Sequence, residues 1–175
     1  MFVKSGTEQM VRARPIKIVV LGMGNLLLRD EGIGIHVIDA MKETRSPDNV
    51  ELELVDGGTL PDAPLSFEEV DKLIIVDAVQ ADGEPGAIYR FHPEDINLDN
   101  KALTSLHQIS LLENLWLMEQ FGQKPKDIVI IGIEPQDMSW GLELSTRLEK
   151  RVPQIIRVVL EEISSKHPGK PEKGE

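Results

Sequence analysis

Two carboxylates stand where an anion site would be expected. The stretch GMGNLLLRDEGIG (residues 22–34) follows the apolar run IKIVVL and precedes a helical pattern, in the manner of a dinucleotide-binding loop. Gly22 and Gly24 meet the first two positions of G-x-G-x-x-G, but Leu27 holds the third. Asp30 and Glu31 then occupy the positive end of the coming helix, where they would repel a phosphate. No nucleotide is therefore expected. Asp30 reads as a helix N-cap, and Glu31 as a first-turn acid that also lies where a crevice should open.

Asp77 closes the run LIIVD. An aspartate ending a fully buried strand is costly unless it is paired or bound, so a loop amide and a ligand are both open as its partner. His107 shares a helical face with Leu111, Leu115 and Met118 and points inward from the first turn. A helix N-terminus disfavours the imidazolium and leaves a neutral ring fit for a metal, with a satisfied core histidine as the alternative. Together Glu31, Asp77 and His107 make an N/O set suited to a divalent transition metal with open positions. His36 on the more polar side of its helix, His92 before a proline, and His167 in the tail are weaker candidates.

Other schemes lack residues. There is no cysteine, which excludes disulfides, zinc ribbons and thiolate nucleophiles. There is no G-x-S-x-G elbow. DGGT (residues 56–59) carries an acid, but a second such loop for a shared-proton dyad is missing. Gly57, Gly58 and Thr59 form either a tight turn or a loop whose backbone could pair with an extended peptide. In EPQDMSWGLE, Met138 and Trp140 stand on a loop after a buried strand. Trp140 either folds back as a lid on the core or grips a substrate.

The elements that must position these residues alternate. IKIVVLG (residues 16–22), VELELVDGG (50–58), KLIIVDAV (72–79) and DIVIIGIEP (127–135) read as strands. GAIYRFHP reads as an extra strand, with its direction open to being antiparallel. Helices are expected at residues 31–44, with Ile33, Val37, Ala40 and Met41 as apolar stripe, within residues 60–70, and from 105 to Gly122. A terminal helix, kinked or broken at Pro153, follows. The expected fold is α/β: one twisted, mostly parallel sheet with helices on both faces. Ligands of such sheets lie beyond the carboxyl ends of the strands. One domain spans residues 16–165, with an extension at 1–15 and a flexible tail at 166–175.

The chain has 175 residues and a formal net charge of -11, which argues against nucleic-acid or anionic-membrane partners. No run has transmembrane length and no signal-peptide core is present, so cytoplasm is the expected location.

The ordered motifs VLGMGNLLLRDEGIGIHVIDAM, DGGT, LIIVDAV, LHQ and IGIEP resemble those of the hydrogenase maturation endopeptidases, over residues 16–163. The resemblance implies a protease, classed as aspartic-type, acting on the large-subunit precursor of nickel-iron hydrogenase. It would remove a short C-terminal peptide after a basic residue once nickel has been inserted. It also implies that Glu31, Asp77 and His107 contact the metal, which arrives with the substrate. The metal is then either a recognition mark or a Lewis acid for water attack. A nickel-sensing escort that docks without cutting, and a nucleotide-handling α/β enzyme, are the alternatives.

Overall fold

The computed structural model describes residues 14–59, 69–96, 113, 115–116, 119–120, 122 and 124–165. The expected short helix within 60–70 and both termini lie largely or wholly outside them. Five strands form one sheet in the order β2-β1-β3-β5-β4. They are β1 (Ile16–Met23), β2 (Val50–Gly58), β3 (Lys72–Ala78), β4 (Ile88–Phe91) and β5 (Asp127–Ile133). β1 pairs in parallel with β2 and β3, and β3 with β5. β4 runs antiparallel on β5, with Ile88 opposite Ile133, which settles the direction of that extra strand.

β3 is buried along its whole length, as its continuous apolar run requires of a central parallel strand. β2 alternates because it lies at the edge, with Glu51 and Glu53 exposed and Leu52 and Leu54 turned toward the core. Helices α1 (Ile33–Met41) and α2 (Thr146–Ser164) cover one face. On the opposite face Leu115, a helical residue, packs with Leu21, Leu73 and Ile130. The sheet is thus covered on both sides, as expected.

Three local expectations are corrected. First, α1 begins at Ile33, because Arg29–Gly32 form a 3-10 turn and the cap position falls on Gly32 without a side-chain cap. Asp30 is not the N-cap; its carboxylate is engaged elsewhere, as described below. Second, Ala40 is exposed and Ile38 takes its place beside Ile33, Val37 and Met41. Third, of a kink or a break at Pro153 the break is excluded, because α2 runs through it. Pro153 and Glu149, whose carbonyl loses the i+4 bond, both lie on the exposed side.

Lys72 is an unforeseen feature of β3: it is 2 % exposed. Its ammonium is met by the Glu162 carboxylate, by the Glu162 carbonyl at 3.0 Å, and by Asp127 at 3.4 Å. Arg90 reaches the same Glu162 at 2.7 Å. Burial pushes the Glu162 carboxyl up, but Arg90 and Lys72 outweigh it and hold it at about 2.

Candidate active site

The connection from β1 leads to β2 on one side, and the chain later returns to place β3 on the other side. A crevice therefore opens past the carboxyl ends of β1 and β3. Glu31 lies in the 3-10 turn after β1, and Asp77 is the penultimate residue of β3. The fold brings these two together.

Asp77 is 3 % exposed, and its Oδ1 accepts from the Ala78 N–H at 2.9 Å. Burial and the nearby Glu31 charge push its carboxyl up to about 7, against the lowering effect of the Ala78 bond. At neutral pH the Asp77 carboxyl is therefore close to half-protonated. Such a carboxyl can exchange a proton near pH 7, or trade that proton for a cation.

The glycines of the opening stretch make room for the protein's own backbone. Gly24 has φ +139°, and a Cβ there would collide with the Glu31 carbonyl. A Cβ on Gly34 would collide with the carbonyls of Val76 and Met23. The turn and α1 thus lie directly against β1 and β3, which sets Glu31 beside Asp77.

Gly57, Gly58 and Thr59 sit at the end of β2 next to this stretch. The Gly24 N–H donates to the Gly58 carbonyl at 2.9 Å, and the Asp56 carboxylate accepts from the Gly58 N–H at 2.9 Å. Trp140 is 78 % exposed, so it is no lid on the core, while Met138 is half-buried. Leu26, Leu27 and Leu142 are exposed as well. His107 lies outside the described residues, and among those residues no three metal-capable side chains converge.

Sequence reasoning missed two features here. The buried Asp30 ties the turn to the loop after β5, with nothing in the local pattern to distinguish it from a cap. His36, set aside as polar, is half-buried and lines a cavity of about 460 Å3 with Arg29, Thr146 and Glu149.

Known proteins resemble this chain along most of its length. A family model described as hydrogenase maturation protease matches residues 35–162. The hydrogenase expression/formation protein HupD of Bradyrhizobium diazoefficiens is 32% identical over 144 residues, covering 80% of this chain and 74% of that one. The hydrogenase 2 maturation protease of Escherichia coli is 31% identical over 148 residues, covering 83% and 89%. The solved structure of the E. coli hydrogenase maturating endopeptidase HybD superposes with a TM-score of 0.70 at 30% identity, covering 85% of this chain and 92% of that one. The shared sheet, the length of the match and the level of identity agree, and this chain belongs to the hydrogenase maturation protease family, whose members are hydrolases.

Proposed function

We propose that the protein is an endopeptidase that removes the C-terminal extension of a nickel-iron hydrogenase large-subunit precursor after nickel has been inserted. The observation that carries this reading is the Glu31–Asp77 pair at the switch point, with Asp77 buried and raised to about 7. A cation presented by the substrate would favour the deprotonated Asp77 and relieve its repulsion with Glu31. His107 would complete the contact set, a role that rests on the family resemblance. Nickel serves here as part of the substrate, either as the mark of a finished insertion or as the Lewis acid for water attack on the scissile carbonyl. In both versions Glu31 and Asp77 meet the metal, and the aspartic-type label follows from Asp77.

The backbone of Gly57, Gly58 and Thr59 would pair with the extended C-terminal segment, while Met138 and Trp140 hold the precursor beside it. No described helix is long and apolar enough to cross a membrane, and we place the reaction in the cytoplasm.

The test is incubation with nickel-loaded and nickel-free precursor, read as a mass shift of the large subunit. Shortening of the loaded form alone is expected, and it is lost in His107→Ala protein that still folds. Binding without shortening would favour a non-cutting escort instead. Equal shortening of both forms would remove nickel from the recognition.

A further inference from the structure

Asp30 has no part in the chemistry proposed above, yet it sits beside it at 0 % exposure. Its charge is met by backbone N–H groups. Oδ2 accepts from Gln136 and from Asp137, each at 2.9 Å, and Oδ1 accepts from Ser145 at 2.7 Å. The Asp30 N–H in turn donates to the Asp137 carbonyl at 3.1 Å. Charge-assisted bonds of this kind are among the stronger ones in proteins.

The positions of these amides matter. Gln136 and Asp137 begin the loop between β5 and α2, and Ser145 ends it, so one carboxylate pinches the loop closed at its base. Further out, the Arg29 N–H donates to the Gly141 carbonyl at 3.0 Å, and the Gly141 N–H to the Leu27 carbonyl at 3.0 Å. Leu28 and Gly141 form an isolated parallel bridge. These bonds join the two loops into one body. It carries the exposed apolar side chains Leu26 at 37%, Leu27 at 51%, Trp140 at 78% and Leu142 at 65% exposure, the last two flanking Gly141. It also carries Glu31, the residue after Asp30, whose charge acts on Asp77.

We infer that Asp30 is a positioning residue that locks the apolar rim to the Glu31 turn, so that a protein substrate docking on Leu27, Trp140 and Leu142 meets Glu31 at a preset place. This rests on the protein-substrate crevice proposed above. The physical reason is preorganisation: a loop pinned before docking spares the complex the cost of ordering it.

Asp30→Asn is the direct test, because asparagine keeps one acceptor oxygen and turns an NH2 group toward at least one of the three donors. Amide hydrogen exchange at Gln136, Asp137 and Ser145 should accelerate about tenfold or more, as expected for losing a charge-assisted bond. With nickel-loaded precursor, KM should rise about tenfold with a smaller change in kcat. Trp140→Ala should do likewise, and the double variant should be no worse than the poorer single one, since both remove the same grip. Unchanged exchange, unchanged KM in folded Asp30→Asn, or effects that multiply in the double variant would each overturn the inference. If Asp30→Asn does not fold, Ser145→Pro removes one donor at φ -57°, which proline accepts. It must raise KM beyond Ser145→Ala, which loses only the hydroxyl cap on Leu148; equal KM values overturn the proposal. If the wild-type protein cuts no precursor, the functional reading fails, and the exchange measurement alone decides whether Asp30 pins the loop.

Discussion

Asp77 becomes charged at a cost to the fold. Its carboxyl sits at about 7 in the folded protein, above the ordinary 3.8, because burial and Glu31 both disfavour the anion. The folded state therefore holds the proton more tightly than the unfolded chain. That stability is fully present below about pH 4 and is lost as pH rises through 7. Asp77→Asn should consequently stabilise the free protein at pH 8 by roughly 4 kcal/mol and by little at pH 4, while abolishing processing. Urea midpoints at the two pH values check the first part, and the precursor assay checks the second. A gain of equal size at both pH values would mean that charge is not the cause. Gly34 makes the opposite case, a residue valued for having no side chain. Gly34→Ala would force α1 off β1 and β3, since the new Cβ meets the carbonyls of Val76 and Met23. A loss of about 3 kcal/mol or more is expected, read by denaturant unfolding.

Among the elements, α2 is fastened to the sheet by more than its apolar stripe. Its last turns carry Glu162 to Lys72 at the start of β3 and to Arg90 in β4. Glu162→Gln leaves the buried ammonium with Asp127 at 3.4 Å as its remaining carboxylate. The expected cost is about 3 kcal/mol, the usual consequence of stripping one partner from a buried pair. Replacing both ends, as Lys72→Met with Glu162→Leu, should recover part of that loss, because no buried charge is then stranded at Lys72. Thermal unfolding of the single and the double variant against wild type measures both terms. The loop between β5 and α2 depends on a different fastening. It owes its place to Asp30 at one end of the molecule's reactive edge, far from the Lys72 cluster that starts the same strands.

For the whole molecule, acid groups of opposite behaviour set the pH range of stability. Burial raises Asp71, but Arg14, the Lys17 N–H and Lys126 bring it down to about 2, as Arg90 and Lys72 do for Glu162. Folded pKa values below the ordinary ones contribute stability above about pH 4.5, and it is lost as pH falls toward 2. Asp77 acts in the other direction on the alkaline side. Stability should therefore peak between about pH 4 and 5, with both limbs visible in midpoints taken at about pH 3, 4.5 and 8, and Asp77→Asn should flatten the alkaline limb alone. The apolar runs and the glycines that end them were enough to read four parallel strands, a fifth of open direction and the covered sheet, because burial on two faces writes itself directly into residue type. The same runs put Glu31 and Asp77 at strand ends, where an α/β sheet binds its ligands. Residue type could not tell a capping aspartate from one that gathers three amides, since both are a carboxylate before a helix. Nor could it show that Lys72 lies inside, that α1 starts two residues late, or that Trp140 faces outward. Those outcomes depend on partners distant in the chain, such as Ser145 for Asp30 and Glu162 for Lys72, and only the folded backbone brings them within bonding distance.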